Sequence, residues 1–453
     1  GADNTAVGRG ALLNQAAGTG NVAVGKDAGN DVTTGANNVF VGTAAGDAFT
    51  DADKNVAIGD QALSSDTLGS RSTAVGFGAL FTQNLTTATD VYNVAVGTNA
   101  GLSVTTGTQN TLIGGLAGDA LTTGALNVAV GYGSLTSDDL GSKSVAIGHS
   151  TLANQNYATA TDSFNTAVGH SAGSAVSTGV KNTLIGGTTG QGLTTGGENV
   201  AVGYGALYTD DLGSHNVAVG VSALQNQNFA TATDSHNTAV GFSAGLSITT
   251  GQNNVVIGGL AGDALTAVND NVVVGTGALT SDTLGSGTVA IGRQVLQTQN
   301  FTTATTSHNT AVGYQAGLAV TTGTQNTLIG SISGDALTDA DKNVAVGYGS
   351  LTSDTLGSKS TAIGDSALSS QNFTTATDAF NTAVGFEAGA RVSTGIQNVL
   401  IGSLAGDHLT DADQNVAIGH QALTSDTLGS KSVAIGREAL VTQNFTTATD
   451  AYN

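Results

Sequence analysis

The side chains equipped for chemistry are few, and their spacing argues against a catalytic or metal centre. The histidines are His149, His170, His215, His236, His308, His408 and His420. His149 and His170 hold the same place in consecutive repeats, just after the signature Gly, where they could stack and catch a metal ion. The arrangement does not recur, so the histidines read as variable solvated surface. The acidic turns Thr50-Asp51-Ala-Asp53, Thr338-Asp339-Ala-Asp341 and Thr410-Asp411-Ala-Asp413 offer oxygen ligands to Ca²⁺. They lack the Gly-Gly-x-Gly-x-Asp nonapeptide of calcium β-rolls, and Asp favours turns in its own right. The Gly-rich stretches carry no Walker lysine and open no helix. Spacing assembles no Ser-His-Asp set and no raised carboxylate pair. The expectation is a protein that is not an enzyme, with no cofactor and no metal.

These residues ride on a repeat. A signature Asn-x-Ala-Val/Ile-Gly, or a close variant, recurs 25 times at spacings of 17 or 21 residues. Its first residue is Asn in 20 coils, including Asn4, Asn21, Asn38, Asn55, Asn93, Asn110 and Asn127, and Ser or Thr in five. Its fourth is always Val or Ile: Val7, Val24, Val41, Ile58, Val75, Val96, Ile113, Val130, Ile147 and onward. Its fifth is always Gly, as at Gly8, Gly25, Gly59, Gly131 and Gly148. Fixed self-similarity marks a solenoid, whose coils cannot stand alone. From Asn55 the spacings cycle as 17, 21, 17 and 17, a 72-residue supercycle with starts at 55, 127, 199, 271, 343 and 415. The long coil is an ordinary coil with a four-residue insertion.

Seventeen residues accommodate two short strands and two turns but no βαβ unit. Gly density and the Val, Ile and Thr content oppose helix. The predicted fold is all-β: a parallel β-solenoid of about 25 coils, forming one continuous repeat domain over residues 1–453. The signature Gly reads as a positive-φ turn or a close backbone approach. The signature Asn reads as a stacked hydrogen-bonding ladder. Alternation places positions 2 and 4 on one face, 3 and 5 on the other. The invariant Val/Ile is expected in the core. The apolar position 3, mostly Ala, is expected against identical neighbours in an axial homotrimer. Both ends read as uncapped, so the chain is expected to continue or to stack head to tail.

Composition narrows the partners. A net charge of −21 opposes nucleic-acid binding. Cysteine is absent, which excludes disulfides and thiolate metal sites. Apolar runs are too short for a membrane helix, so no membrane insertion is expected. Proline is absent, as suits strand pairing along the whole chain.

The segments Asn55-Val-Ala-Ile-Gly59, Ser144-Val-Ala-Ile-Gly148 and Ser432-Val-Ala-Ile-Gly436 resemble the head repeats of YadA-like trimeric autotransporter adhesins. That resemblance implies a left-handed parallel β-roll with three chains to a head. It aligns Val145 and Ile147 with the family's inward-pointing pair and Gly148 with its turn. The coils here are longer than is usual in that family, and position 2 is often Thr, as in Asn165-Thr-Ala-Val-Gly169. Arrays of this type also look like segments of phage tail fibres and secreted bacterial filaments.

The inserted loops are the best candidates for displayed function. Four of them carry Thr86 and Thr87, Thr302 and Thr303, Thr374 and Thr375, and Thr446 and Thr447. An aromatic near each loop start, such as Phe373 or Phe445, is followed seven residues later by Phe380 or Tyr452, and the pair is expected to clip the loop to the roll. Asn84, Asn300, Asn372 and Asn444 each open an Asn-x-Thr sequon, which reads as a by-product of the repeat. The functional expectation is an extracellular or cell-surface fibre, acting as spacer and multivalent surface for attachment. The alternatives are a head-to-tail filament or matrix subunit and a phage tail-fibre shaft on a virion. A ligand-binding solenoid is a third class, for instance one meeting ice through Thr105-Thr106 and Thr122-Thr123. The expected partners are further copies of the chain and a host-surface or matrix ligand.

Overall fold

The computed structural model describes residues 2–453. Every regular element among them is a short β-strand, three residues long at each signature and two residues long beside each inserted loop. The chain falls into two compact units, Gly1–Ser235 and His236–Asn453. Each is a parallel β-solenoid with about 17 residues per turn.

In the first unit the signature strands run from Thr5–Val7 to Val217–Val219, each pairing with the next in parallel. Like positions meet: Val128 pairs with Val145, Ala129 with Ala146 and Val130 with Ile147. The insertion leaves this register intact, because Val145, Ala146 and Ile147 pair with Thr166, Ala167 and Val168 across the long coil. The extra residues are therefore extruded as a loop. The second unit repeats the scheme from Thr238–Val240 to Val433–Ile435.

Two devices set the register. The signature glycines hold φ far from L-residue territory, 138° at Gly59 and 134° at Gly131. A Cβ on Gly131 would lie 2.4 Å from the carbonyl oxygen of Gly148, so the coils approach more closely than any side chain allows. The signature asparagines from Asn21 onward are buried and lock coil to coil. Asn110 Oδ1 accepts from the backbone N–H of Asn127 at 3.0 Å, and its Nδ2 donates to the Gly124 carbonyl at 2.9 Å. Asn21, Asn38, Asn55 and Asn93 repeat this pattern, and Asn4 Oδ1 accepts from Asn21 N. The ladder is mainly side chain to backbone, satisfying groups that the tight turns leave unpaired, and in places also side chain to side chain, as where Asn38 Nδ2 donates to Asn21 Oδ1 at 3.1 Å.

The core corrects the sequence expectation. Position 3 points inward and is fully buried, from Ala23 and Ala57 to Ala417. The Val/Ile of position 4 points outward. Val24, Ile58, Val96, Ile113 and Ile147 are 37–39% exposed, Val41, Val75 and Val130 are half-buried, and Val7 is more open still. The alternation was right and the assignment of faces was inverted. The reason is volume. The interior is narrow, and where position 3 is larger, glycines make room: Cβ atoms on Gly101 and Gly118 would lie 2.7 and 2.8 Å from Leu112. Phe40 sits likewise between Gly29 and Gly46. Alanine fills this space in most coils, and the larger Phe40, Leu112, Val256 and Val273 are accommodated fully buried in others.

Candidate functional site

Two surfaces stand out, and the fold repeats both. The first is the outer face of the signature sheet. Positions 2 and 4 project from it, Val or Thr in one column and Val or Ile in the other. In the first unit this gives Thr111 and Ile113, Val128 and Val130, then Val145 and Ile147, coil upon coil. The second unit presents Val289 and Ile291, Thr310 and Val312, then Thr327 and Ile329. In-register β-branched columns pack along the strand-stacking direction, which accounts for their partial cover within one chain. Thirteen signature strands of the first unit, at ~4.8 Å each and ~10 Å of strand length, present on the order of 600 Å². That matches the largest apolar patch of an ordinary soluble monomer.

An aromatic column beside this face escaped the sequence reading. The residue following the signature Gly is an exposed aromatic at Phe77, Tyr132 and Tyr204 in the first unit and at Phe242, Tyr314, Tyr348 and Phe386 in the second. The recurring place directly after the signature Gly was the available signal. Tyr132, His149 and His170 stack there, with centroids 5.5 and 5.3 Å apart and the two imidazoles inclined by 11°. Parallel rings present faces to one another and do not converge their nitrogens on one ion. His149 Nδ1 is engaged with Ser150 Oγ at 2.9 Å.

The second surface is the set of inserted loops. Each is moored on a buried aspartate. Asp66 Oδ1 accepts from the backbone of Gly69 and Leu85 at 3.0 and 3.2 Å, and Oδ2 from Gln83 at 2.6 Å. Gln83 passes the chain on, its Oε1 accepting from Asn93 at 2.8 Å. Asp138–Gln155–Asn165 and Asp282–Gln299–Asn309 do the same. Where the signature opens with Ser or Thr, as at Ser72, Ser144 and Thr288, this glutamine also donates to that hydroxyl. Burial raises the Asp138 carboxyl to about 6, against the hydrogen bonds from Gln155 and Gly141 that oppose the shift. Burial raises Asp66, Asp210 and Asp282 as well.

At the far end four of the six loops are clasped from outside by a cation, an anion and a ring. Lys143 Nζ meets Asp162 at 2.6 Å and lies 5.0 Å from the centre of the Phe164 ring. Arg71 with Asp90 and Tyr92, Lys359 with Asp378 and Phe380, and Lys431 with Asp450 and Tyr452 repeat the clasp. The corresponding places in another coil are Gly287, Thr306 and His308, so cation and anion are lost together. The two loop aromatics meet the roll separately. Phe373 is 6% exposed and enters the coil, whereas Phe380 is 49% exposed and supports Lys359. Their seven-residue separation places them on opposite sides of the wall, because Phe380 occupies a left-handed corner at φ 51°.

The tips are open: Thr86, Thr87, Thr302, Thr303, Thr374, Thr375, Thr446 and Thr447 are all exposed. The acidic turns serve the stack. Asp51 accepts from Thr34 Oγ1 at 2.5 Å, and Asp53 from the Ala36 amide at 2.7 Å. Asp339 and Asp341, and Asp411 and Asp413, behave alike. The threonine pairs are divided: Thr105 and Thr122 donate to carbonyls of the next coil, whereas Thr106 and Thr123 face outward.

Among known proteins, no family model matches the chain and no curated protein aligns with it. No helix among the described residues is long and apolar enough to cross a membrane.

Proposed function

We propose that this chain is a structural and adhesive fibre element that works outside the cell, assembled with copies of itself through the Val/Ile face. The observation that carries the reading is that face. It is apolar, half-exposed and repeated at the strand spacing along each unit. A surface with a period of ~4.8 Å is matched best by another with the same period, which a second copy of the chain supplies. We favour three chains around an axis, with the Val/Ile columns at the seam instead of the alanines.

In this reading the loops are the working surface. An exposed Thr recurs at their tips every 72 residues, on bases moored by a buried aspartate. Rigid repeated display suits weak contacts that add by effective concentration, to a host-surface or matrix ligand. The net charge of −21 keeps such a fibre soluble and discourages unspecific lateral contact. The reading requires no catalytic centre.

Light scattering coupled to size exclusion tests the assembly. A mass of three 44.2 kDa chains supports the trimer. A single-chain mass at micromolar concentration overturns the seam. A mass that grows with concentration replaces the closed trimer with a polymer.

A further inference from the structure

The inserted loops carry a second chemical signal. The chain contains Asn-x-Thr/Ser four times, at Asn84, Asn300, Asn372 and Asn444, always at the same place in the loop. The ladder asparagines never form one, because the residue two positions on is always apolar. We propose that these four asparagines are acceptors for N-linked glycans, taken from a glycosyl diphosphate donor by a glycosyltransferase.

The geometry supports this in three ways. The middle residue of the sequon is buried, as Leu85, Phe301 and Phe373 show, so alternation turns Asn and Thr out to solvent together. The Asn oxygen is held by a threonine of the preceding coil, from Thr67 at 3.1 Å, Thr283 at 3.2 Å, Thr355 at 3.2 Å and Thr427 at 3.2 Å. This bond fixes the carboxamide with its Nδ2 outward, and none of the four nitrogens donates a hydrogen bond among the described residues. Finally, the Thr side chain has no part in the fold. Thr86, Thr302, Thr374 and Thr446 are exposed and their hydroxyls bond to nothing among the described residues.

Two loops of the same design serve as internal controls. They read Asn156-Tyr-Ala158 and Asn228-Phe-Ala230, with Tyr157 and Phe229 buried like their counterparts. Alanine suffices there, so the stack does not require Thr. The preceding coil changes too: Asp139 and Asp211 replace the threonine, and each accepts from the hydroxyl of Thr122 or Thr194. A carboxylate has no proton to give Asn156 or Asn228. Sequon and threonine donor thus occur together in this chain.

In the step itself, Asn Nδ2 attacks the anomeric carbon of the sugar. The C1–O bond to the diphosphate breaks, the electron pair leaves with that oxygen, and the amide proton passes to a base of the transferase. Glycans at these positions would project from the loop tips and bear on what the loops can touch.

Mass spectrometry of glycopeptides from protein isolated from its own source tests the proposal. Sugar is expected on Asn84, Asn300, Asn372 and Asn444, and not on Asn156 or Asn228. A single sugar identifies a nucleotide-linked donor, and a preassembled oligosaccharide a lipid-linked one. Thr86→Ala, produced in the same host, should abolish modification at Asn84 alone and leave the thermal midpoint unchanged, as Ala158 and Ala230 imply. Four unmodified asparagines would overturn the proposal. So would equal occupancy at Asn156 and Asn228, since the Thr would then play no part.

Discussion

Gln155 donates to the buried carboxylate of Asp138 at 2.6 Å while its own oxygen accepts from Asn165 at 2.8 Å. One glutamine thus ties the turn of one coil, the base of an extruded loop and the ladder of the next coil. The same triad recurs with Gln83 and Gln299, which makes it the fixed fitting at which a loop leaves the stack.

That fitting carries a pH dependence. The Asp138 carboxyl is raised from 3.8 to about 6 by burial, so its charged form is penalised in the folded state. The penalty is fully present above pH 6 and is relieved as pH falls through 6 towards 4. Each pH unit in that window returns about 1.4 kcal/mol for such a group, or roughly 3 °C in a unit of this size. Thermal melts should therefore show a higher midpoint at pH 5 than at pH 7.5. The triple variant Asp66→Asn/Asp138→Asn/Asp210→Asn should flatten that slope. A midpoint that falls on acidification contradicts the assignment.

The ladder should be intolerant of truncation. Asn110→Ala leaves the Asn127 N–H and the Gly124 carbonyl buried without partners. At about 1–3 kcal/mol for each of the two groups, the loss should be about 2–6 kcal/mol. Denaturant titration measures it, and a loss below 1 kcal/mol would mean water replaces the side chain.

A methyl group at the signature Gly should be worse. Gly131→Ala places a Cβ 2.4 Å from Gly148 O on a backbone at φ 134°. Both chains of the contact are backbone, so neither can rotate away. A destabilisation above ~3 kcal/mol is expected, with new proteolytic cleavage between residues 131 and 148.

The outer face separates folding from assembly. Ile113→Asp and Ile147→Asp alter side chains that are already 37–39% exposed. Circular dichroism should stay that of the parent while the light-scattering mass falls to one chain. Unchanged mass in the double variant removes this face from the interface.

The clasp should control the loop and little else. Lys143→Ala removes an exposed ion pair and a cation–ring contact, about 1 kcal/mol or less in total. Global stability should barely move, whereas cleavage in the loop at 156–162 should quicken. The loop at 300–306, with Gly287 in place of the cation, should already be cut readily in the parent. Equal resistance of the two loops would show that the buried aspartate alone moors them.

Much of this architecture is written in the sequence. The spacing of Asn4, Asn21 and Asn38 determines the coil length and, with it, which residues pair. The invariant Gly8 and Gly25 mark where coils meet most closely, and the absence of proline agrees with unbroken pairing. These are properties of a period, and a period is visible without coordinates. Which face is inside is not. Ala57 and Ile58 are both apolar and adjacent, so alternation separates them without saying which is buried. Constancy at position 4 argued for the core, yet Ile58 lies outside and Ala57 within. The tertiary structure decided this: alanine fills the narrow coil in most turns, glycines lie beside the larger Leu112 and Phe40, and the Val/Ile column stays on the outer wall. The same holds for the loops: Lys143, Asp162 and Phe164 are too far apart in sequence to suggest a contact, and only the stacking of one coil on the next brings them together.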